Sequence, residues 1–108
     1  EYHYAVQVGD ETRTLRDETQ RFRTYPAAGT PGKIRVVFGG CAGYMPAYER
    51  MWDTIRSFSP AAFLTLGDNV YVDDPESPDQ QQYCYYQRQS RPEFRRLVAG
   101  APVYAVWD

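Results

Sequence analysis

The stretch Ala61-Ala62-Phe63-Leu64-Thr65-Leu66-Gly67-Asp68-Asn69 is a short apolar run that stops at a glycine followed by an acidic residue. A run of this length, bounded by turn residues, is typical of a buried strand. The strand ends near Gly67, so Asp68 and Asn69 are expected just beyond its carboxyl end.

The segments on either side of this run predict a parallel sheet. Before it, residues 34–38 form a β-branched and aromatic run that stops at Gly39-Gly40, and a helix is predicted between the two runs. The apolar side chains with helical spacing are Met51, Trp52, Ile55 and Phe58. Strand, helix and strand of these lengths imply a right-handed βαβ crossover, so the predicted fold class is α/β.

Two further helices and a third strand are predicted towards the end of the chain. Ser77 and Ser90 are each followed three residues later by Gln80 or Glu93, a pattern that predicts a capped helix start. The second of these helices is expected to end at Gly100. Residues 103–107 then form a third apolar, strand-like run.

The first 32 residues have a different pattern. Residues 2–8 and 20–24 alternate with a period of two, which predicts antiparallel strands. Residues 26–32 have the Pro- and Gly-rich composition of a linker. Because two strands are not stable alone, we interpret residues 1–25 as the last strands of a β-sandwich module. Residues 33–108 are then the first part of a catalytic α/β domain.

Composition narrows the classes of function. The chain has 108 residues and a formal net charge of -2, with acidic and basic residues mixed along it. A nucleic-acid-binding protein usually carries a basic face, so we expect no nucleic-acid partner. No apolar run is long enough to cross a bilayer, and we expect a monomer.

Side chains able to bind a metal follow all three predicted α/β strands. Cys41 follows the first, Asp68 the second and Asp108 the third. Ligands of parallel α/β sheets gather at the carboxyl ends of the strands, so these positions are expected to converge. With the nearby phenol of Tyr71 they form an anionic sulfur and oxygen donor set, which suits ferric iron better than magnesium.

Several segments resemble the alkaline phosphatase D (PhoD-like) family of calcineurin-like metallophosphoesterases. Residues 67–71 fit its G-D-x-x-Y motif, and residues 38–42 resemble its F-x-S-C-Q segment, with Gly40 for serine and Ala42 for glutamine. Residues 21–24 match the R-F-R-T stretch that closes that family's N-terminal β-sandwich. Residues 105–108 resemble the start of its T-W-D-D-H-E segment. These landmarks occur in the family's order along nearly the whole chain.

The resemblance implies a metallophosphoesterase-type α/β sandwich and a metal-dependent hydrolase of phosphate mono- or diesters. Cys41, Asp68 and Tyr71 would be the ligands of Fe(III). Asp68 would also bridge to a second divalent cation, expected to be Ca²⁺. Asp108 matches the first acid of the W-D-D-H-E segment. The expected partner is a small phosphate ester. The family also implies a secreted, periplasmic or cell-surface protein, of which this chain would be an inactive N-terminal fragment.

A second hypothesis needs no metal. The chain has two cysteines, and a Cys41–Cys84 disulfide would be compatible with a non-catalytic binding module made of the same β and α/β segments. A free thiol at Cys41 is required by the first hypothesis and excluded by the second.

Overall fold

The computed structural model describes residues 1–9, 11–13 and 21–106. The chain divides into two compact units, Glu1–Lys33 and Ile34–Asp108. The structure is of mixed α/β class, with antiparallel pairs in the first unit and a parallel sheet in the second.

The first unit contains four short strands, β1 (Tyr2–His3), β2 (Val6–Val8), β3 (Glu11–Arg13) and β4 (Arg21–Phe22). β1 pairs with β4 and β2 with β3, both antiparallel, as the alternating pattern predicts. The prediction of one strand over residues 2–8 was wrong, because β1 and β2 have different partners and belong to separate sheets. Gly9, with φ of +60°, begins the turn between β2 and β3.

The second unit is built on three parallel strands. These are β5 (Val36–Gly39), β6 (Ala62–Thr65) and β7 (Val103–Ala105), hydrogen-bonded in the order β5-β6-β7. Helix α1 (Met51–Ser57) connects β5 to β6. Helices α2 (Pro78–Gln89) and α3 (Pro92–Gly100) connect β6 to β7. The predicted strand–helix–strand order and the parallel pairing are therefore confirmed.

The two predicted serine caps have different outcomes. The Ser77 hydroxyl accepts a hydrogen bond from the Gln80 backbone N–H at 3.4 Å, which confirms the first cap. Ser90 instead closes α2, where its hydroxyl donates to the Gln87 carbonyl at 3.1 Å. Helix α3 begins at Pro92, one residue later than a cap at Ser90 would give. Pro92 disfavours a helical conformation in the preceding Arg91 and is itself well suited to the first helical position.

One face of the parallel sheet carries the core. The register aligns Val37, Phe63 and Val103 across the three strands, and Trp52 of α1 and Leu97 of α3 pack against them. The Trp52 ring lies edge-on to Phe63, with ring centroids 5.9 Å apart. Burying each such side chain contributes on the order of 1.5–3 kcal/mol, so this layer holds the sheet and both helices together.

The opposite face of the sheet is apolar and open. Val36, Phe38 and Tyr104 are 48%, 69% and 51% exposed, although Ala62 between them is buried. The helices that pack on the core face leave the carboxyl ends of the strands accessible. Those ends position the candidate site.

Candidate metal centre

The turns that follow β5 and β6 are joined by backbone hydrogen bonds. At the ends of the two strands, the Leu66 N–H donates to the Gly39 carbonyl at 2.8 Å. In the turns that follow, the Cys41 N–H donates to the Gly67 carbonyl at 3.4 Å. The Ala42 N–H then donates to the Asp68 carbonyl at 3.1 Å. The pairing of the two strands therefore continues into their turns, which places residues 41 and 68 side by side.

Both turns adopt conformations that most residues avoid. Cys41 and Asp68 have φ angles of +54° and +47°, and Gly67 between the strand and Asp68 has φ of +104°. The left-handed region costs a non-glycine residue about 1–2 kcal/mol. A Cβ on Gly40 would lie 3.4 Å from the Gly67 carbonyl oxygen, at the lower limit of an ordinary van der Waals contact, so the two turns approach closely here. Strained backbone of this kind concentrates at functional sites.

Three side chains meet at one carboxylate oxygen. The Cys41 thiol donates to Oδ2 of Asp68 at 3.3 Å, and the Tyr71 hydroxyl donates to the same oxygen at 2.6 Å. The structure thus brings together the three residues that the resemblance assigns as Fe(III) ligands. Their role as metal ligands stays a prediction.

The hydrogen bonds shift the protonation of this group of residues, which we call the Cys41–Asp68–Tyr71 cluster. The hydrogen bond from Tyr71, and then that from Cys41, lowers the pKa of Asp68 below its ordinary value. Accepting that bond, the Asp68 carboxylate raises the pKa of Tyr71 well above the usual range of a phenol. Without a cation the cluster therefore holds an ionised carboxylate and a protonated tyrosine at neutral pH.

The donor chemistry of the cluster fits a cation. The thiol proton of Cys41 and the hydroxyl proton of Tyr71 both point at Oδ2 of Asp68. A cation bound between the three side chains would replace these two protons, since thiol and phenol bind metals in their deprotonated forms. The three donors would then carry three negative charges, which favours a highly charged ion such as Fe(III) over magnesium. All three residues are exposed, so an ion could reach them from solvent. No described set of three His, Cys, Asp or Glu side chains forms a metal-binding group, because the third donor here is a tyrosine.

Cys84, Asp74 and His3 also carry side chains of types that can bind a metal. Cys84 lies on α2, and both cysteines are free thiols in this structure. Oδ1 of Asp74 accepts from the Glu76 N–H at 3.3 Å, in the exposed turn before α2. His3 is exposed and lies 3.4 Å from Glu1. Asp108 lies outside the described residues.

The polar sequence of α2 predicts a solvated helix face for its arginine, and for Arg88 this prediction is wrong. The Arg88 side chain is only 5% exposed and pairs with Glu49, whose side chain is 1% exposed. The sequence gives little indication of this ion pair. The spacing of Glu49 and Trp52 suits a local contact, but no sequence pattern links Glu49 to Arg88. The tyrosines of α2, in contrast, are exposed at 46–67%.

Asn69 is a second residue whose position the sequence does not reveal. Its side-chain N–H₂ donates to the Val106 carbonyl at 3.2 Å, and the Val106 N–H donates to Thr65 at 3.0 Å. Asn69 therefore ties the turn that carries Asp68 to the carboxyl end of the third strand. In the sequence, the contact between Asn69 and Val106 is indicated only by the polar side chain of Asn69 directly after Asp68.

Comparisons with protein-family models, with curated proteins and with solved structures give no match to this chain. Among the described residues, no helix combines the length and the apolar character needed to cross a membrane.

Proposed function

We propose that this chain is the N-terminal part of a metal-dependent phosphoesterase of the PhoD-like type, which hydrolyses phosphate mono- or diesters. The observation that carries the proposal is the convergence of a thiol, a carboxylate and a phenol at the carboxyl edge of a parallel sheet. These residues come from two separate turns that the backbone joins. The resemblance to the G-D-x-x-Y and F-x-S-C-Q segments supports the same assignment.

In this proposal Cys41, Asp68 and Tyr71 would hold Fe(III). Asp68 would also help to hold a second divalent cation, for which Ca²⁺ is the candidate. A paired-cation site of this kind clamps a phosphoryl group and activates water. The strained turns hold the sulfur and the carboxylate in place before the substrate arrives, and the exposed position of the cluster leaves access for a phosphate ester.

The chain's own residues have defined tasks in this scheme. Asp68 is ionised already in the metal-free state, because its pKa is lowered by the hydrogen bonds from Tyr71 and Cys41. Tyr71 and Cys41 would lose the protons that they donate to Asp68 when a metal binds. No described residue at the cluster is placed to protonate a leaving group, so we expect the 108-residue chain alone to be inactive.

Visible absorption tests the ligand set directly. Tyrosinate and thiolate bound to ferric iron both absorb visible light. The 108-residue chain loaded with Fe(III) is therefore expected to show a tyrosinate charge-transfer band, which Tyr71→Phe abolishes while the thiolate band of Cys41 remains. Tyr83→Phe, on the exposed face of α2, is the matched control and should leave the band unchanged. A colourless protein that retains no iron after desalting would refute the assignment of the cluster.

Thiol titration separates this proposal from a disulfide-linked binding module. Under denaturing, non-reducing conditions we expect two reactive thiols for each chain of a sample purified without reductant. Absence of both would favour a Cys41–Cys84 bridge and would exclude Cys41 as a ligand.

Hydrolysis is tested in the full-length protein with p-nitrophenyl phosphate and bis(p-nitrophenyl) phosphate. Asp68→Asn is expected to abolish turnover of whichever ester is used, and the preferred ester tells monoesterase from diesterase. Full activity of the Asp68→Asn protein would refute the proposed function.

A further inference from the structure

A buried ionic group lies directly behind the Cys41–Asp68–Tyr71 cluster. Arg88 of α2 and Glu49, in the turn before α1, are 4% and 1% exposed. The Arg88 Nε lies 3.3 Å from Oε2 of Glu49, and the same carboxylate oxygen accepts the indole N–H of Trp52 at 2.8 Å. The guanidinium also lies over the Trp52 ring, 5.0 Å from its centroid.

The other end of the guanidinium reaches the cysteine turn. Nη2 of Arg88 donates to the backbone carbonyl of Ala42 at 2.7 Å, across 46 residues of sequence. Ala42 is the residue after Cys41, and its own N–H donates to the Asp68 carbonyl at 3.1 Å. The peptide units around Ala42 are therefore held from two sides, by the second turn and by Arg88.

We propose that Arg88 is a positioning residue for the Cys41 ligand: anchored on Glu49 and Trp52, it holds the Ala42 carbonyl and so keeps Cys41 in the left-handed turn that aims its thiol at Asp68. The φ angle of +54° at Cys41 is a conformation that its own sequence disfavours. The hydrogen bond from the Arg88 guanidinium to the Ala42 carbonyl maintains this conformation. The metal-related part of this inference rests on the proposed function, whereas the effect on the turn does not.

The geometry explains why the residue is an arginine. One planar group makes an ion pair through Nε and a hydrogen bond to Ala42 through Nη2, while its face covers an indole ring. A lysine ammonium is a single point of charge and cannot make these contacts at once. Arg88→Lys therefore keeps a positive charge beside Glu49 while it releases the Ala42 carbonyl.

Arg96 provides a matched control. Its side chain makes a bidentate bond to Asp53 at 2.9 and 2.6 Å, which joins α3 to α1. Arg96→Lys is the same chemical change at a partly exposed ion pair. Arg96→Lys controls for the arginine-to-lysine change itself, and the urea stability of each variant reports any general loss of stability.

The first readout needs no metal. Amide hydrogen exchange at Cys41 and Ala42 is measured by NMR in the chelator-treated chain, together with urea stability. Loss of a charge-assisted hydrogen bond is expected to speed exchange at these two amides about tenfold in Arg88→Lys, with no change in Arg96→Lys. Equal exchange in Arg88→Lys and the wild-type chain overturns the proposal.

The second readout is the affinity for Co²⁺, followed by its thiolate charge-transfer band. Groups that orient a metal ligand typically affect affinity about 10- to 100-fold, so Arg88→Lys should bind Co²⁺ at least about tenfold more weakly than Arg96→Lys does. If exchange changes and affinity does not, Arg88 holds the turn without positioning a ligand, and the proposal is overturned.

Two further outcomes are distinguishable. If the wild-type chain binds neither Co²⁺ nor Fe(III) but exchange changes as expected, the effect of Arg88 on the turn stands and the proposed function fails. If Arg88→Lys does not fold, the double variant Glu49→Gln/Arg88→Met replaces it, because it leaves no unpaired buried charge and also frees the Ala42 carbonyl. The same increase in exchange is expected, and its absence overturns the proposal.

Discussion

The buried pair of Glu49 and Arg88 allows a quantitative test of how the second unit is held together. Glu49→Gln keeps an acceptor for the Trp52 indole but removes the charge opposite the guanidinium, whose side chain is 5% exposed. Arg88→Met leaves the Glu49 carboxylate buried with the indole as its remaining partner. Breaking a buried pair by removing one partner costs about 3–5 kcal/mol, a large part of the roughly 5–15 kcal/mol that stabilises a small protein.

The double variant Glu49→Gln/Arg88→Met is expected to cost less than either single change. It leaves no uncompensated charge, and methionine can fill part of the space beside Trp52. What is lost is the hydrogen bond to the Ala42 carbonyl and the cation–π contact, together about 2 kcal/mol. The buried position also lowers the pKa of Arg88, with Glu49 opposing the effect, in agreement with a guanidinium that depends on its partner.

Urea unfolding of all four proteins, followed by far-UV circular dichroism, measures these free energies of unfolding. Arg96→Met/Asp53→Asn serves as control, because that pair is partly exposed and its removal should cost about 1 kcal/mol or less. A double variant that costs as much as the two single changes added together would show that the two side chains do not form a coupled buried pair.

Three other predictions concern the helix cap, the two faces of the sheet and the pH dependence of the cluster. Ser77→Ala removes the N-cap of α2 and is expected to cost about 1 kcal/mol in urea unfolding, whereas Ser90→Ala, at the end of that helix, should cost less. Phe63→Ala, in the buried face, is expected to cost about 3–5 kcal/mol, and Phe38→Ala, 69% exposed, less than half of that; equal costs would mean that the open face is buried. In the metal-free chain, the lowered pKa of Asp68 stabilises the fold above the ordinary carboxyl pKa of 3.8, and this stability is lost as the pH falls through the folded-state pKa. The raised pKa of Tyr71 stabilises the fold below the ordinary phenol pKa of 10.0, and this stability is lost as the pH rises through the folded-state pKa of Tyr71. Tyr71→Phe should therefore destabilise the chain most between about pH 4 and 10, and a pH-independent difference in thermal unfolding would contradict the hydrogen bond to Asp68.

The open face of the sheet and the exposed cluster lie on the same scaffold. Parallel sheets are usually covered on both faces, and here Val36, Phe38 and Tyr104 remain exposed on one of them. The cluster in turn offers three donors and is accessible from solvent. Both features agree with the proposal that these residues form one part of a larger catalytic domain.

Local sequence was sufficient for most elements of the second unit. The runs that end at Gly39 and Gly67 predict β5 and β6, the spacing of Met51, Trp52 and Ile55 predicts α1, and Ser77 predicts the start of α2, because each signal acts within a few residues. Cys41 and Asp68 were also singled out locally, since each follows a glycine at a strand end, whereas Tyr71 was singled out by the resemblance to the G-D-x-x-Y motif. The error at Ser90 arose because one serine can close a helix as readily as it can cap the next.

The sequence by itself determined the strands and helices of the second unit to within a few residues, and that Cys41 and Asp68 follow the carboxyl ends of two of its strands. Only the tertiary structure decided that the Cys41 thiol and the Tyr71 hydroxyl share one oxygen of Asp68, and that Arg88 is buried behind them on Glu49. The physical reason is distance along the chain. Residues 41 and 68, or 42 and 88, meet only when the parallel sheet forms and the helices pack on it, and no local propensity records such a contact.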